Sequence, residues 1–323
     1  LSFLFAFPQR NCGTMQHYED QLIKDPSLLL RMQDQEREIK NWIQNNLNKH
    51  QPSIITIPVV VHIVYNNQNE NISDNQIFSQ LDILNEDFRR LNADTVNTPT
   101  GFLSVASDCE IEFCLAQKDP NGNSTTGITR TQTSETSFST NDDVKYTNSG
   151  GKDAWNTLEY LNIWVCDLSG GLLGYAQFPG GNVNEDGVVC DYAYFGNIGT
   201  ATPPYDKGRT ATHEVGHWLN LRHIWGDSNC GNDFCNDTPE HSGSNYGCPS
   251  YPSTSTCSAN GLYGDMFMNY MDYTDDACMN IFTQDQKNRM IAAINTSRAG
   301  LLTSNACNTD YGCTDSIAFN FDS

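Results

Sequence analysis

The chain has 323 residues, enough for one large core or two modest ones with tails. Its 39 acidic against 18 basic side chains give a formal charge of −21, which argues against nucleic acid and anionic membranes and favours basic substrates. Twelve cysteines are too many for an ordinary cytosolic enzyme, so a secreted protein stapled by disulfides is expected.

In chain order, Leu1-Ser2-Phe3-Leu4-Phe5-Ala6-Phe7 reads as the tail of a signal-peptide core, so residues 1–8 are set apart as a signal remnant. No other run is long enough to span a bilayer, and no membrane insertion of the mature chain is expected. Residues 9–53 are polar and helix-prone, with a broken apolar stripe including Leu28, Met32, Ile39 and Trp42, and form a helical arm. From Ile54 to Tyr65 an almost unbroken β-branched run marks a buried strand and the start of a catalytic domain, 54–302. His62 inside it is expected to be a satisfied core histidine. Ser73 to Asn92 reads as a helix with Ser73 as N-cap and Ile77, Leu81, Leu84 and Phe88 on one face. Ile111–Ala116 and Tyr160–Asp167 are further strands, and the Thr- and Ser-rich stretch from Asn121 to Asn148 is a long loop or hairpin region. Leu172–Phe178 is a candidate edge strand. The expected fold is α/β, with a twisted, mostly parallel sheet and helices above an irregular, disulfide-rich lower half. Gln284–Arg298 reads as a closing helix. Residues 303–323 look like the opening of a small repeat that stops abruptly, as if the chain were a fragment at both ends.

The chemistry concentrates in His213-Glu214-Val215-Gly216-His217-Trp218-Leu219-Asn220-Leu221-Arg222-His223. Histidines four apart lie one above the other on a helix face and can reach one cation. Glu214 beside the first is placed to hold a water and take its proton. His223 lies beyond the reach of a straight helix, so the chain must turn sharply, with position 220 as pivot. Three neutral nitrogens and an open fourth position are the plan of a catalytic zinc site rather than a structural one. The pattern resembles the extended zinc motif of the metzincin metalloproteases, with Asn220 where that motif has glycine. Asn is the non-glycine residue that most readily takes a left-handed backbone, so the turn survives.

Downstream, Asn269-Tyr270-Met271-Asp272-Tyr273 resembles the methionine turn of one metzincin family, the pappalysins. The resemblance implies Met271 beneath the histidines and Tyr273 near the zinc, steadying the reacting carbonyl oxygen. It implies that Asp276 lies at the base of the pocket for the residue after the cut, with a preference for Arg or Lys. It also implies that the edge strand pairs with bound peptide. Arg10-Asn11-Cys12-Gly13-Thr14 resembles the cysteine switch of such zymogens, in which the thiolate takes the open zinc position and makes residues 9–53 a prosegment. The pappalysin pattern implies disulfides Cys235–Cys257 and Cys248–Cys278, leaving Cys230 to find another partner; sequence alone leaves the pairing open. Asp227, Asp233, Asn236, Asp237, Thr238 and Glu240 form an oxygen-rich run without EF-hand spacing, and Asp237-Thr238-Pro239 resembles the calcium-bearing loop of pappalysins, so calcium is a second candidate metal.

The expected function is a secreted zinc endopeptidase, monomeric and made as a zymogen, acting on protein or peptide substrates. Two other readings are a zinc amidase acting on cell-wall peptides and an inactive zinc-stabilised adhesion module; intact Glu214 argues against the second.

Overall fold

A computed structural model describes residues 9–46 and 54–307. The expected signal remnant, residues 1–8, and residues 308–323 of the expected 303–323 repeat lie outside the described residues.

The sheet is built around β1 (Ile55–Tyr65), whose residues 57–64 are all buried. Eleven residues is long enough for two partners end to end on one side. β2 (Ile111–Leu115) pairs with Ile55–Val59, and β3 (Ile128–Gln132) with Val61–Tyr65. On the other side run β4 (Leu161–Cys166) and β6 (Val188–Asp191), then β5 (Gly174–Ala176) at the edge, giving the order β2-β1-β4-β6-β5. Every pairing is parallel except β5–β6, so the mostly parallel α/β architecture holds. β3 falls inside the stretch expected to be loop or hairpin. Its Ile-Thr-Arg-Thr-Gln is half exposed at the margin of the sheet and has no continuous apolar face to announce it.

Helix α3 (Asp74–Phe88) is capped by Ser73, whose hydroxyl accepts from the Gln76 N–H at 3.2 Å, and buries Ile77, Leu81, Leu84 and Phe88 against the sheet. Each such side chain contributes roughly 1.5–3 kcal/mol by burial. The helix stops short of Asn92 because Arg90 turns to φ +51 and Leu91 N–H closes on Glu86 O. Helix α4 (Arg209–Trp218) is buried along its whole length between the sheet and the lower half. Helix α5 (Gln284–Asn295) begins with a reciprocal Thr283–Gln286 capping box. It ends before Arg298, whose guanidinium turns back onto Asp186 and over the Trp218 ring.

The N-terminal arm is two helices, α1 (Thr14–Lys24) and α2 (Leu28–Asn46), broken at Asp25-Pro26. α1 packs on β5, and α2 lies on α5, with Ile39 against Ala292 and Ala293 and Glu36 bonded bidentately to Arg289 at 3.0 and 2.8 Å. His62 is the expected core histidine, bonded to Thr129 Oγ1 at 2.8 Å and Asn162 Oδ1 at 3.0 Å.

The lower half is stapled by Cys248–Cys278, as the resemblance implied, and by Cys230–Cys257 rather than Cys235–Cys257. Backbone bonds from Cys230 N–H to His241 O and from Glu240 N–H to Ala259 O bring Cys230 and Cys257 to a Cα separation of 5.5 Å. Cys235 is instead held in a tight turn: its N–H donates to Asp233 Oδ1 and its carbonyl accepts from Thr238. Its thiol is buried and free. A third bridge, Cys114–Cys307, ties β2 to the segment after α5, while Cys109, Cys166 and Cys190 are buried thiols of the core. Burial, not only oxidation, explains part of the cysteine count.

Candidate active site

His213 and His217 stand one turn apart on α4, both fully buried. The helix closes with Leu221 N–H on Gly216 O at 2.9 Å and Asn220 N–H on His217 O at 2.8 Å. Asn220 has φ +70, the left-handed conformation that reverses the chain and returns His223 to the same point. The Nε2 of His217 lies 3.1 Å from those of His213 and His223.

The outer nitrogen of each ring is fixed. Nδ1 of His213 meets Tyr270 O at 2.7 Å, that of His217 meets Leu221 O at 2.8 Å, and that of His223 meets Asp227 Oδ1. These acceptors hold each ring's proton on Nδ1 and leave three Nε2 lone pairs facing one another. Burial, followed by the neighbouring His223, pushes His213 and His217 well below the ordinary histidine range, so both rings stay neutral. Facing lone pairs with no proton between them repel, and a divalent cation is what such a donor set accommodates.

Cys12 Sγ lies within 4.8 Å of all three ligand atoms. It is held in the cleft by backbone bonds along β5: Leu173 N–H to Asn11 O at 2.9 Å and Gly13 N–H to Gly174 O at 2.8 Å. Glu214, beside His213, has its carboxyl pushed up to about 7 by burial. It accepts from Thr14 Oγ1 at 2.8 Å and from Cys12 Sγ at 3.4 Å.

Met271 is buried below the helix. Its seat depends on Gly216, where a Cβ would stand 2.5 Å from Met271 Sδ. Gly174 has a matching role above, since a Cβ there would come within 3.0 Å of the Glu214 side chain. Neither glycine stood out in the sequence; both matter for close approach rather than for unusual backbone angles. Tyr273 packs against His213, His223 and Trp225 with ring centroids 5.8, 4.9 and 4.8 Å apart. Burial keeps its phenol protonated and available as a donor.

Asp276 is buried, not turned to water. Its Oδ2 accepts the N–H groups of Lys207 at 2.8 Å and Arg209 at 3.2 Å, and its Oδ1 pairs with Arg10. The Arg10 guanidinium lies 4.8 Å from the centre of the Tyr205 ring and donates to Thr274 O. Sequence reasoning did not give Arg10, Thr14 or His17 any role.

The oxygen-rich run divides. Asp227 is engaged by His223, whereas Asp233 accepts from Thr238 Oγ1 and the Cys235 N–H, and Asn236 donates its N–H to Asp285. Glu240 accepts from the Ala259 N–H. Asp237 Oδ1 is buried without a hydrogen-bond partner. Among the described residues no helix is long and apolar enough to cross a membrane.

The family described as Pregnancy-associated plasma protein-A (Peptidase_M43) matches residues 140–295. An extracellular metalloprotease of Arthroderma benhamiae is 32% identical over 254 residues, covering 76% of this chain and 80% of that one. One from Verticillium alfalfae is 30% identical over 299 residues, covering 88% and 90%. Among solved structures, a promirolysin variant from Tannerella forsythia is 53% identical with a TM-score of 0.83, covering 91% of this chain and 97% of its own. Mature mirolysin of the same organism, in complex with a cleaved peptide, is 58% identical with a TM-score of 0.75, covering 78% and 96%.

Proposed function

Because this chain belongs to the pappalysin family of metalloproteases, we propose that it is a secreted zinc endopeptidase held latent by its own N-terminal segment and selective for Arg or Lys after the cut. The observation that carries the reading is the convergence of three outward-anchored imidazoles with Glu214 beside them and Cys12 against them.

His213, His217 and His223 would hold the zinc, which when bound would supply Lewis acidity for the scissile carbonyl and for a water. Glu214 takes the proton of the attacking water and delivers it to the leaving nitrogen. Tyr273 donates to the carbonyl oxygen as negative charge develops on it. β5 offers its backbone to the substrate as it offers it to Asn11 and Gly13 in the latent chain. Asp276 receives the basic side chain after the cut, and Arg10 is its stand-in.

Residues 9–53 form the prosegment and 54–302 the catalytic domain. In support, promirolysin matches 91% of the chain and mature mirolysin 78%. With Cys12 Sγ among the three imidazoles, where it would take the fourth ligand position, and Thr14 on Glu214, the prosegment covers both the metal site and the base. Calcium belongs to the 233–240 loop, where the unpartnered Asp237 Oδ1 and the buried Asp233, pushed up to about 6 by burial, ask for a cation.

Peptide-library cleavage by the full chain, before and after trypsin and with Cys12→Ala and Glu214→Ala alongside, tests the proposal. Cleavage before Arg that appears with trypsin or Cys12→Ala and vanishes with Glu214→Ala is expected. A chain that binds zinc yet cuts no peptide in any form would overturn it and favour the amidase or adhesion reading.

A further inference from the structure

Arg10 and His17 flank Cys12 in the sequence, and each ends on a buried carboxylate. Arg10 meets Asp276. His17, one turn into α1, places Nε2 2.7 Å from Asp142 Oδ2, with both side chains 2% exposed. Asp142 is fixed in place: its backbone is left-handed at φ +71, Lys145 Nζ holds Oδ1 at 2.8 Å, and the Tyr175 hydroxyl lies 3.3 Å from Oδ1. Tyr175 is the central residue of β5, and the His17 ring packs on it with centroids 5.0 Å apart.

The N-terminal segment follows β5 from Leu173 at Asn11 to Ala176 at Thr14, crossing the histidine triad at Cys12. Asp276 and Asp142 therefore receive side chains from opposite flanks of the catalytic centre. If the Asp276 flank takes the residue after the cut, the Asp142 flank faces residues before it.

We propose that, in the activated enzyme, Asp142 forms a second subsite that accepts a basic substrate side chain on the unprimed side. The proposal rests on the reading of residues 9–53 as a removable prosegment. His17 occupies the subsite in the latent chain, as Arg10 occupies the first. Lys145 engages Oδ1, and loss of His17 leaves Oδ2 without its partner. The charges nearby favour a cation: the Lys145 ammonium is set against two carboxylates, Asp142 and Glu185, the latter accepting from the Tyr146 hydroxyl at 2.6 Å. A carboxylate has lone pairs enough to serve Lys145 and an arriving guanidinium or ammonium together.

The test uses full chain activated by trypsin and peptides carrying Arg after the scissile bond. Each of the four preceding positions is varied in turn among Arg, Lys, citrulline, Ala and Glu. At one of these positions Arg should exceed its neutral isostere citrulline in kcat/KM by about five- to tenfold, the margin of a charged over a neutral hydrogen bond. Asp142→Asn should bring that ratio close to one and leave the Arg-to-Ala ratio after the cut as it was. Equal cleavage of Arg and citrulline peptides at all four positions overturns the subsite, and that comparison needs only the wild-type enzyme should Asp142→Asn not fold. A ratio that survives Asp142→Asn also overturns it. A parallel series with Ala after the cut separates the two readings, since rapid cleavage there would sink the Asp276 pocket and leave the Asp142 subsite to stand or fall by its own ratio.

Discussion

Replacing Arg10 by Ala removes a side chain that is 1% exposed from a carboxylate that is 0% exposed. Breaking a buried ion pair from one side costs about 3–5 kcal/mol when the remaining charge is stranded. Asp276 is not stranded, because the Lys207 and Arg209 N–H groups stay bonded to Oδ2. Loss of the pair and of the contact with the Tyr205 ring should then cost the closed state about 2–3 kcal/mol. At 1.4 kcal/mol per factor of ten, the open fraction of uncut precursor rises about 30- to 150-fold. The assay is hydrolysis of a fluorogenic peptide with Arg after the cut by untreated full chain, with Cys12→Ala as a second opened form. Arg10→Ala precursor as silent as wild type, beside an active Cys12→Ala precursor, would refute both the magnitude and the assignment of Asp276 as the pocket that Arg10 fills.

Three further outcomes follow from the packing. Gly216→Val pushes a branched side chain onto Met271 and should destabilise by about 1–3 kcal/mol, with Met271→Ala in the same chain recovering part of the loss; strictly additive urea midpoints would contradict the contact. His62 is pushed down by burial from 6.5 to about 4, so between those values the unfolded chain takes up a proton that the native chain refuses. The contribution of His62 is fully present above pH 6.5 and about 3 kcal/mol of it is lost as pH drops through that window; His62→Asn should lack this acid loss, and an unchanged pH dependence of the urea midpoint would count against it. Removing Cys114–Cys307, which closes a separation of 193 residues, should cost about 2–5 kcal/mol in guanidinium unfolding, whereas an unmoved midpoint would show the bridge to be idle.

What the sequence revealed follows from how local each signal is. The β-branched run of β1, the Ser73 cap and the histidine spacing each act within a few residues, and Asn220 at φ +70 is the pivot that spacing demanded. β3 was hidden because an edge strand has no buried face to pattern, and β6 because four residues between loops show too short a period. Cys230 rather than Cys235 joins Cys257 through backbone bonds between distant turns, which no residue spacing encodes. Gly174 and Gly216 matter for what approaches them from another element, and Asp227 for a ring four residues earlier that is turned towards it only by the chain reversal. Arg10 and His17 have meaning only beside Asp276 and Asp142, more than a hundred residues away in the chain.

The central claim is that three histidines and Glu214 make a metal-dependent peptidase. Its most direct test measures zinc content and peptide cleavage together, in trypsin-activated wild type and Glu214→Ala, before chelation, after it, and after zinc is returned. The account predicts zinc in both proteins, and cleavage only in wild type, lost with the metal and restored with it. Cleavage that survives removal of zinc, or that persists in Glu214→Ala, would contradict it.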